Sequence, residues 1–366
     1  MIPFPENPRI LVTRTDRIGD LVVSTPVFAA LRRKFPKAWI AALVFTENRE
    51  LVEGNPALDE VILYDKKGRE RGGFGNWRLG RALSRKRFDA VIHLHATNRM
   101  HWLGWLAGIP VRAGWDRKSA HLLTHRLPDI KVRGEKHEAL YNFELLRLFG
   151  VEAPEKLEPY FPIMDNAVRS VRELVFQLGV PKDRPLCVLH PSASCPSKRW
   201  PVSRFAEVAA QVRQKYGAEV AVIGSAADSV LARTLARESG VPVWDLCGRV
   251  GLGGLGVLLR EAAVLVSNDS GPVHIASAVG TPVISVFGRN QPGLSPTRWK
   301  PLGPDARVLW RDVGCHPCLA HACHIHFLCL DVIAASEVMQ ELESLGPSLW
   351  HKHPFQSADP VEAEHS

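Results

Sequence analysis

The stretch Asn268-Asp269-Ser270-Gly271-Pro272-Val273-His274 lies between two apolar runs, Val264–Ser267 and Val283–Phe287, that read as buried strands. Pro272 suits a first helical turn, where its missing N–H costs nothing, and Ser270 or Gly271 can cap that turn. The product is a helix N-terminus aimed out of the carboxyl end of a parallel strand, where free N–H groups and the helix dipole favour an anion. Ser270 and Gly271 have little bulk, so a phosphate can reach the backbone, and His274 can add a donor. In the competing reading this is an ordinary strand–helix corner with Asp269 and Ser270 as caps. A second group is Lys198-Arg199, in a loop that runs from a strand to a helix and shares the face of the first group. A lysine facing a diphosphate can neutralise leaving-group charge as a sugar–oxygen bond breaks. Arg199 reads instead as an exposed charge beside a packed Trp200. The third is Asp20, placed after Gly19 in a strand-to-helix loop, where a carboxylate can act as general base on a hydroxyl or cap the next helix. Arg14 and Arg17 flank it and can meet phosphates or merely solvate the loop, and Asn98 follows a later strand; these three are the acceptor-contact candidates.

Two other patterns invite chemistry. Gly251, Gly253 and Gly256 spell GxGxxG, but Cys247-Gly248-Arg249-Val250 separates them from the preceding strand, so the dinucleotide reading is rejected. Cys315, Cys318, Cys323 and Cys329 are interleaved with His316, His321, His324 and His326. The C-x2-C start is like a zinc site, but the other spacings fit no standard finger. A reduced, loop-packing cluster is therefore preferred to a zinc or disulfide knuckle.

The elements that must position these residues alternate. Strands at Arg9–Arg14, Trp39–Val44, Val61–Tyr64, Asp89–Leu94 and Val111–Gly114 are separated by helical patterns at Leu21–Phe35 (kinked or restarted at Pro26), Trp77–Ser84 and Leu103–Ala107. Gly68–Gly75 reads as a mobile loop. Val151–Met164, rich in proline and glutamate, reads as a linker after helix Glu138–Phe149. The rhythm then restarts with helix Asn166–Leu178, strand Leu186–His190 and helix Val202–Tyr216. Such alternation implies parallel sheets covered on both faces, with ligands outside the strand carboxyl ends. The expected organisation is α/β, with two Rossmann-like domains, 1–165 and 166–346, facing a central cleft and a disordered tail over 347–366. At 366 residues, 46% hydrophobic and 23% charged, the chain can build two full cores. A net charge of +8 points to anionic partners: nucleotides, phosphorylated substrates or an anionic membrane face. Basic residues are not clustered with aromatics, which disfavours nucleic acid. With no apolar run long enough to span a bilayer and no secretory pattern, the chain is expected to stay in the cytoplasm.

Three separated stretches together give a specific resemblance: RILVTRTDRIGDLVVSTPVFAALRRKFP from Arg9, HPSASCPSKRWPVSRFAEVAAQV from His190, and LCGRVGLGGLGVLLREAAVLVSNDSGPVHIASAVGTPVISVFG from Leu246. With FDAVIHLHATNR from Phe88, they make the sequence resemble the family-9 glycosyltransferases, the heptosyltransferases of lipopolysaccharide core assembly. The resemblance implies a GT-B architecture with the acceptor on the N-terminal domain and the donor on the C-terminal one. It implies an inverting, metal-independent transfer from a sugar nucleotide, typically ADP-heptose, to a lipid-linked glycan at the inner face of the cytoplasmic membrane. No cofactor is then required, and the chain accordingly has no Asp-x-Asp pair to hold a diphosphate through a divalent ion. On this pattern Asp20 matches the catalytic base, Lys198 the lysine on the donor phosphate, and Asp269, Ser270, Gly271 and His274 the segment cradling the diphosphate. Two departures stand out: Ser192 replaces a frequent glycine, and Asp228 stands one methylene short of the glutamate often used on the ribose. The alternatives are a same-fold transferase with another donor or acceptor, and an inactive sugar-nucleotide-binding protein.

Overall fold

In the computed structural model the apolar runs of the N-terminal half become six parallel strands, β1 (Arg9–Arg14), β2 (Trp39–Phe45), β3 (Glu60–Tyr64), β4 (Ala90–His93), β5 (Val111–Trp115) and β6 (His125–Leu127), ordered β3-β2-β1-β4-β5-β6. Their interior positions, such as Ile10, Leu11, Ala41, Leu43 and Val91, are buried, as expected of strands covered on both faces. The described residues are 2, 4–315, 318, 320–352, 354 and 355. The covering helices are α1 (Ile18–Val22), α2 (Thr25–Lys34), α3 (Gly72–Arg85), α4 (Asn98–Leu106) and α5 (Glu138–Arg147).

The second half repeats the plan. Helices α6 (Asp165–Leu178), α7 (Val202–Tyr216), α8 (Ser229–Ser239), α9 (Leu252–Glu261) and α10 (Gly271–Ala278) accompany β7 (Leu186–His190), β8 (Glu219–Val222), β9 (Trp244–Asp245), β10 (Val264–Asn268), β11 (Val283–Phe287) and β12 (Ala306–Trp310). This sheet is also parallel, ordered β12-β11-β10-β7-β8-β9. Trp200 lies at the centre of its core, edge-on to Phe205 with ring centroids 4.9 Å apart and donating from Nε1 to the Ile333 carbonyl at 2.9 Å. Both strand orders reverse direction beside the first strand of the half, between β1 and β4 and between β7 and β10. Ligands of doubly wound sheets bind at such switch points.

The chain separates into two units, Met1–Pro162 with Pro292–Leu302, and Ile163–Gln291 with Gly303–Ser366. The segment Pro292–Leu302, expected within the second domain, thus belongs with the first unit. It carries the short helix α11 (Pro296–Trp299), whose Arg298 makes two hydrogen bonds to Glu138 Oε2, at 2.9 and 2.7 Å. Lys300 offers its carbonyl to His137 Nε2 at 2.9 Å. The approach depends on Gly134, at φ +61°, where a Cβ would come within 1.9 Å of the Pro292 carbonyl oxygen. After β12, α12 (Leu328–Asp331) and α13 (Ala335–Ser344) complete the second unit.

Several sequence expectations change. The helical pattern over Leu21–Phe35 is restarted rather than kinked: Ser24 occupies the N-cap of α2 with Pro26 in its first turn, and Thr25 Oγ1 donates to the Val22 carbonyl at 2.8 Å. The second half of the glycine-rich loop, residues 72–75, is the start of α3. The tail is not without structure from its first residue. Pro347–His351 forms a 3-10 turn that buries Leu349 and Trp350, and Trp350 stacks on Tyr216 with centroids 4.2 Å apart. Residues 356–366 lie outside the described ones. Among the described residues no helix is long and apolar enough to cross a membrane.

Candidate active site

In the first unit the site begins where β1 ends. Arg14, the last residue of the strand, is 2% exposed and donates through all three of its nitrogens. Nε donates to Asp16 at 3.0 Å, and Nη2 donates to Asp20 at 2.8 Å and Glu138 at 3.1 Å. Nη1 reaches Glu138 at 3.1 Å, with Asn142 and the Leu94 carbonyl each at 3.3 Å. Asp20 is therefore not a cap. It sits in the first turn of α1, its Oδ1 held by Arg14, while Ser24 Oγ donates to its carbonyl at 2.7 Å. Arg14, expected to face phosphate or acceptor, is instead a buried post. Arg17 lies at the exposed start of α1 without a side-chain capping bond, and exposed Asn98 opens α4 and accepts from Ser119 Oγ at 3.1 Å.

Glu138, which the sequence did not single out, is the hub of this cluster. It is 1% exposed and meets Arg14, Lys131 (2.9 Å) and Arg298. Burial alone would raise its carboxyl, but these three cations hold it well below the usual carboxylate range. Asp16 goes the other way: burial, only partly opposed by Arg14, pushes its carboxyl up to about 7. His95 Nδ1 lies 3.4 Å from Asp16, and burial, reinforced by Arg14, lowers the imidazole to about 4. His95 is thus neutral at physiological pH and Asp16 titrates within it.

In the second unit the loops after β7 and β10 meet at the switch point. Ser270 is the N-cap of α10, in extended conformation, with Pro272 in the first turn. Its hydroxyl lies 2.9 Å from His190 Nδ1, and Ser267 Oγ lies 3.2 Å from the same atom. Burial lowers His190 to about 4, so this is a neutral hydrogen-bonded group that fixes the cap. Asn268 ties the two loops together, accepting from the Trp200 N–H at 2.9 Å and donating to the Pro191 carbonyl at 2.8 Å. Lys198 ends the 3-10 turn Pro196–Lys198, and its Nζ lies 2.6 Å from Asp269 Oδ2 and 3.0 Å from the Asp269 carbonyl. Gly288 lets this turn pack close, since a Cβ there would lie 2.5 Å from the Ser197 carbonyl oxygen. His274 is buried in α10.

Arg289 was not anticipated. It is buried at φ 67°, approaches Asp269 Oδ2 at 3.3 Å, and has a buried Nε with no hydrogen-bond partner among the described residues. Two cations thus converge on one carboxylate at the start of α10. A left-handed arginine leaves no readable sequence signal.

Asp228 closes its own loop, accepting from Ser225 N at 2.8 Å and Ser225 Oγ at 2.7 Å. Burial opposes its ionisation, yet bonds from Ser225 and Ser192 keep the carboxyl below the ordinary range. Arg199 folds back onto the Ala193 carbonyl at 3.0 Å. The GxGxxG glycines open α9, well past the end of β9. Cys315, Cys318, Cys323 and Cys329 are free thiols, and Cys323 Sγ accepts from the Phe327 N–H at 3.2 Å. Among the described residues, which exclude His316, no three potential ligands are arranged around a metal position.

The architecture has solved counterparts. A glycosyl transferase of family 9 from Veillonella parvula matches with a TM-score of 0.82 at 24% identity, covering 94% of this chain and 98% of that one. The ADP-heptose lipopolysaccharide heptosyltransferase II of Escherichia coli matches at 0.74 and 24%, covering 92% and 98%. Two Rossmann-like units of this kind define a GT-B glycosyltransferase fold. In sequence, lipopolysaccharide heptosyltransferase 2 of Escherichia coli K12 is 27% identical over 353 residues, covering 92% of this chain and 98% of the relative. The model of glycosyltransferase family 9 (heptosyltransferase) matches residues 76–328, and the chain belongs to that family. It is an enzyme of heptosyltransferase type.

Proposed function

We propose that this protein transfers heptose from ADP-heptose to a lipid-linked inner-core glycan, with inversion at the anomeric carbon and without a metal ion. The observation that carries the donor half is the convergence of Lys198 and Arg289 on Asp269 at the N-terminus of α10. This is a preorganised, partly neutralised cationic site beside helix N–H groups, suited to a diphosphate whose charge grows as it leaves. ADP-heptose is the donor named for the Escherichia coli counterpart. Ser270 and Gly271 offer the diphosphate their backbone, His274 lies beside them in the same helix, and Asp228 serves the ribose.

In the acceptor half, Asp20 is the general base. Its carboxylate, held at one oxygen by Arg14, leaves the other to accept a hydroxyl proton as the acceptor oxygen attacks the anomeric carbon. The sugar–phosphate bond breaks, and ADP departs with the electron pair toward Lys198 and Arg289. Arg17 and Asn98, both exposed, are the acceptor contacts. Cytoplasmic location at the anionic inner membrane face agrees with the net charge of +8.

The test is turnover of ADP-heptose and titration of ADP-heptose, ADP and UDP-glucose, each with and without divalent metal. Asp20→Asn is expected to lose roughly 10²–10⁴-fold in rate while keeping wild-type ADP affinity. Near-normal turnover in that variant removes Asp20 as base. Preference for the uridine donor, or a strict metal requirement, overturns the named substrate.

A further inference from the structure

Helices α3 and α4 cover the same face of the first sheet: Leu79 and Leu83 of one and Met100 and Leu103 of the other share one apolar cluster with β1, β2 and β4. Both are crossovers between parallel strands, so both begin at the carboxyl edge, the edge that carries Asp20. They pack side by side, with a Cβ at Gly80 only 3.1 Å from Leu106 Cβ. Their outward surfaces therefore face the same way.

Those surfaces are unusually aromatic. Phe74 and Trp77 on α3 are 74% and 50% exposed, and Trp102 and Trp105 on α4 are 45% and 49% exposed. The aromatics come as neighbours on each helix: Phe74 stacks on Trp77 at 5.9 Å, and Trp102 meets Trp105 edge-on at 5.4 Å. Phe74 and Trp77 lie in the first half of α3, nearer the carboxyl edge. Single exposed apolar residues need no explanation, but four large aromatics on two adjoining helices mark an interaction surface.

The charge around the patch selects the partner. Helix α3 contains Arg78, Arg81 and Arg85 and no acidic residue. Arg78 faces Glu70 at 3.6 Å, whereas Arg71, Arg81 and Arg85 make no ion pair among the described residues. Tryptophan and phenylalanine rings bordered by unpaired arginines suit a bilayer interface, where rings settle at headgroup depth and guanidinium groups meet anionic phosphates.

We propose that the outer faces of α3 and α4 dock this enzyme on an anionic lipid bilayer. The inference deepens the membrane-bound acceptor reading given above and rests on it for its purpose. Its test needs neither donor nor acceptor.

The experiment is flotation of the full chain with vesicles of phosphatidylcholine alone or mixed with phosphatidylglycerol, with quenching of tryptophan fluorescence by brominated lipid as the second readout. Wild type is expected to float with, and be quenched by, the anionic vesicles. Trp77→Ser/Trp105→Ser should reduce partitioning roughly tenfold and remove most of the quenching. Arg81→Gln/Arg85→Gln should reduce anionic-vesicle binding roughly fivefold per charge and leave binding to neutral vesicles unchanged. An unchanged far-ultraviolet circular dichroism spectrum and thermal melt show that each variant is folded. Failure of wild type to float, or variants that float like wild type, overturns the proposal. So does a wild-type dimer that the tryptophan substitutions dissociate without changing vesicle binding, since the patch would then join two copies. Vesicle binding without ADP-heptose turnover would sink the proposed reaction and leave the docking surface standing. Turnover of a soluble acceptor without vesicle binding would do the reverse.

Discussion

Replacing Lys198 by alanine tests the donor site most directly. Its Nζ is 2.6 Å from Asp269 Oδ2, and the two side chains are only 12% and 6% exposed. Removing one partner of such a pair costs ~3–5 kcal/mol when the other charge is stranded. Arg289, 3.3 Å from the same oxygen, remains as counter-charge, so the stability loss should fall at or below about 3 kcal/mol. Binding loses more than a contact, because a diphosphate at the start of α10 would then meet Asp269 with one cation fewer. One charge-assisted hydrogen bond is worth ~1.5–3 kcal/mol, which makes ADP affinity fall roughly 10- to 100-fold. In the double variant Lys198→Ala/Asp269→Asn buried Arg289 loses its carboxylate partner in turn, so thermal stability should fall at least as far as in Lys198→Ala. The assays are calorimetric titration with ADP and a thermal melt of each variant. Wild-type ADP affinity in a folded Lys198→Ala protein would refute the phosphate role of the lysine.

Two further predictions concern the first unit. Because Glu138 has a depressed folded-state value, its stabilisation is complete above the unfolded carboxylate value of about 4.3 and is lost as pH falls through the folded one. Glu138→Gln should thus cost about 3–5 kcal/mol at neutral pH, and variant and wild type should converge in strong acid; equal urea midpoints at neutral pH would contradict this. Asp16, raised to about 7, has the opposite sign: its protonated form favours the fold below the unfolded value, and that gain disappears as pH rises through about 7. Below about 7 Asp16 is neutral and the Arg14 charge falls on Asp20 and Glu138. Above it Asp16 takes a share of that charge and leaves Asp20 less tightly paired, and turnover should rise with pH. Asp16→Asn should flatten that rise, and a profile unaltered by the substitution would exclude Asp16 as its source.

The sequence by itself determined the two alternating halves, most strand positions and the loops that bear the proposed site residues. Strand Leu186–His190 and helix Val202–Tyr216 stand where their periodicity predicts, because apolar spacing and breaker residues act over a few positions. That Asp20, Lys198 and Asp269-Ser270-Gly271 stand after the ends of β1, β7 and β10 was legible for the same reason. What the sequence could not contain was how charges pair over distance. Arg14 was read as facing a ligand and is instead buried against Glu138, 124 residues away. The return of Arg298 to Glu138 spans 160 residues and carries no local signature. Arg289 joins Asp269 only through a backbone turn that its residue type does not announce. Hydrogen-bonding periodicity is local and can be read along the chain, whereas the cost of burying a charge is settled only by whichever groups the finished fold brings beside it.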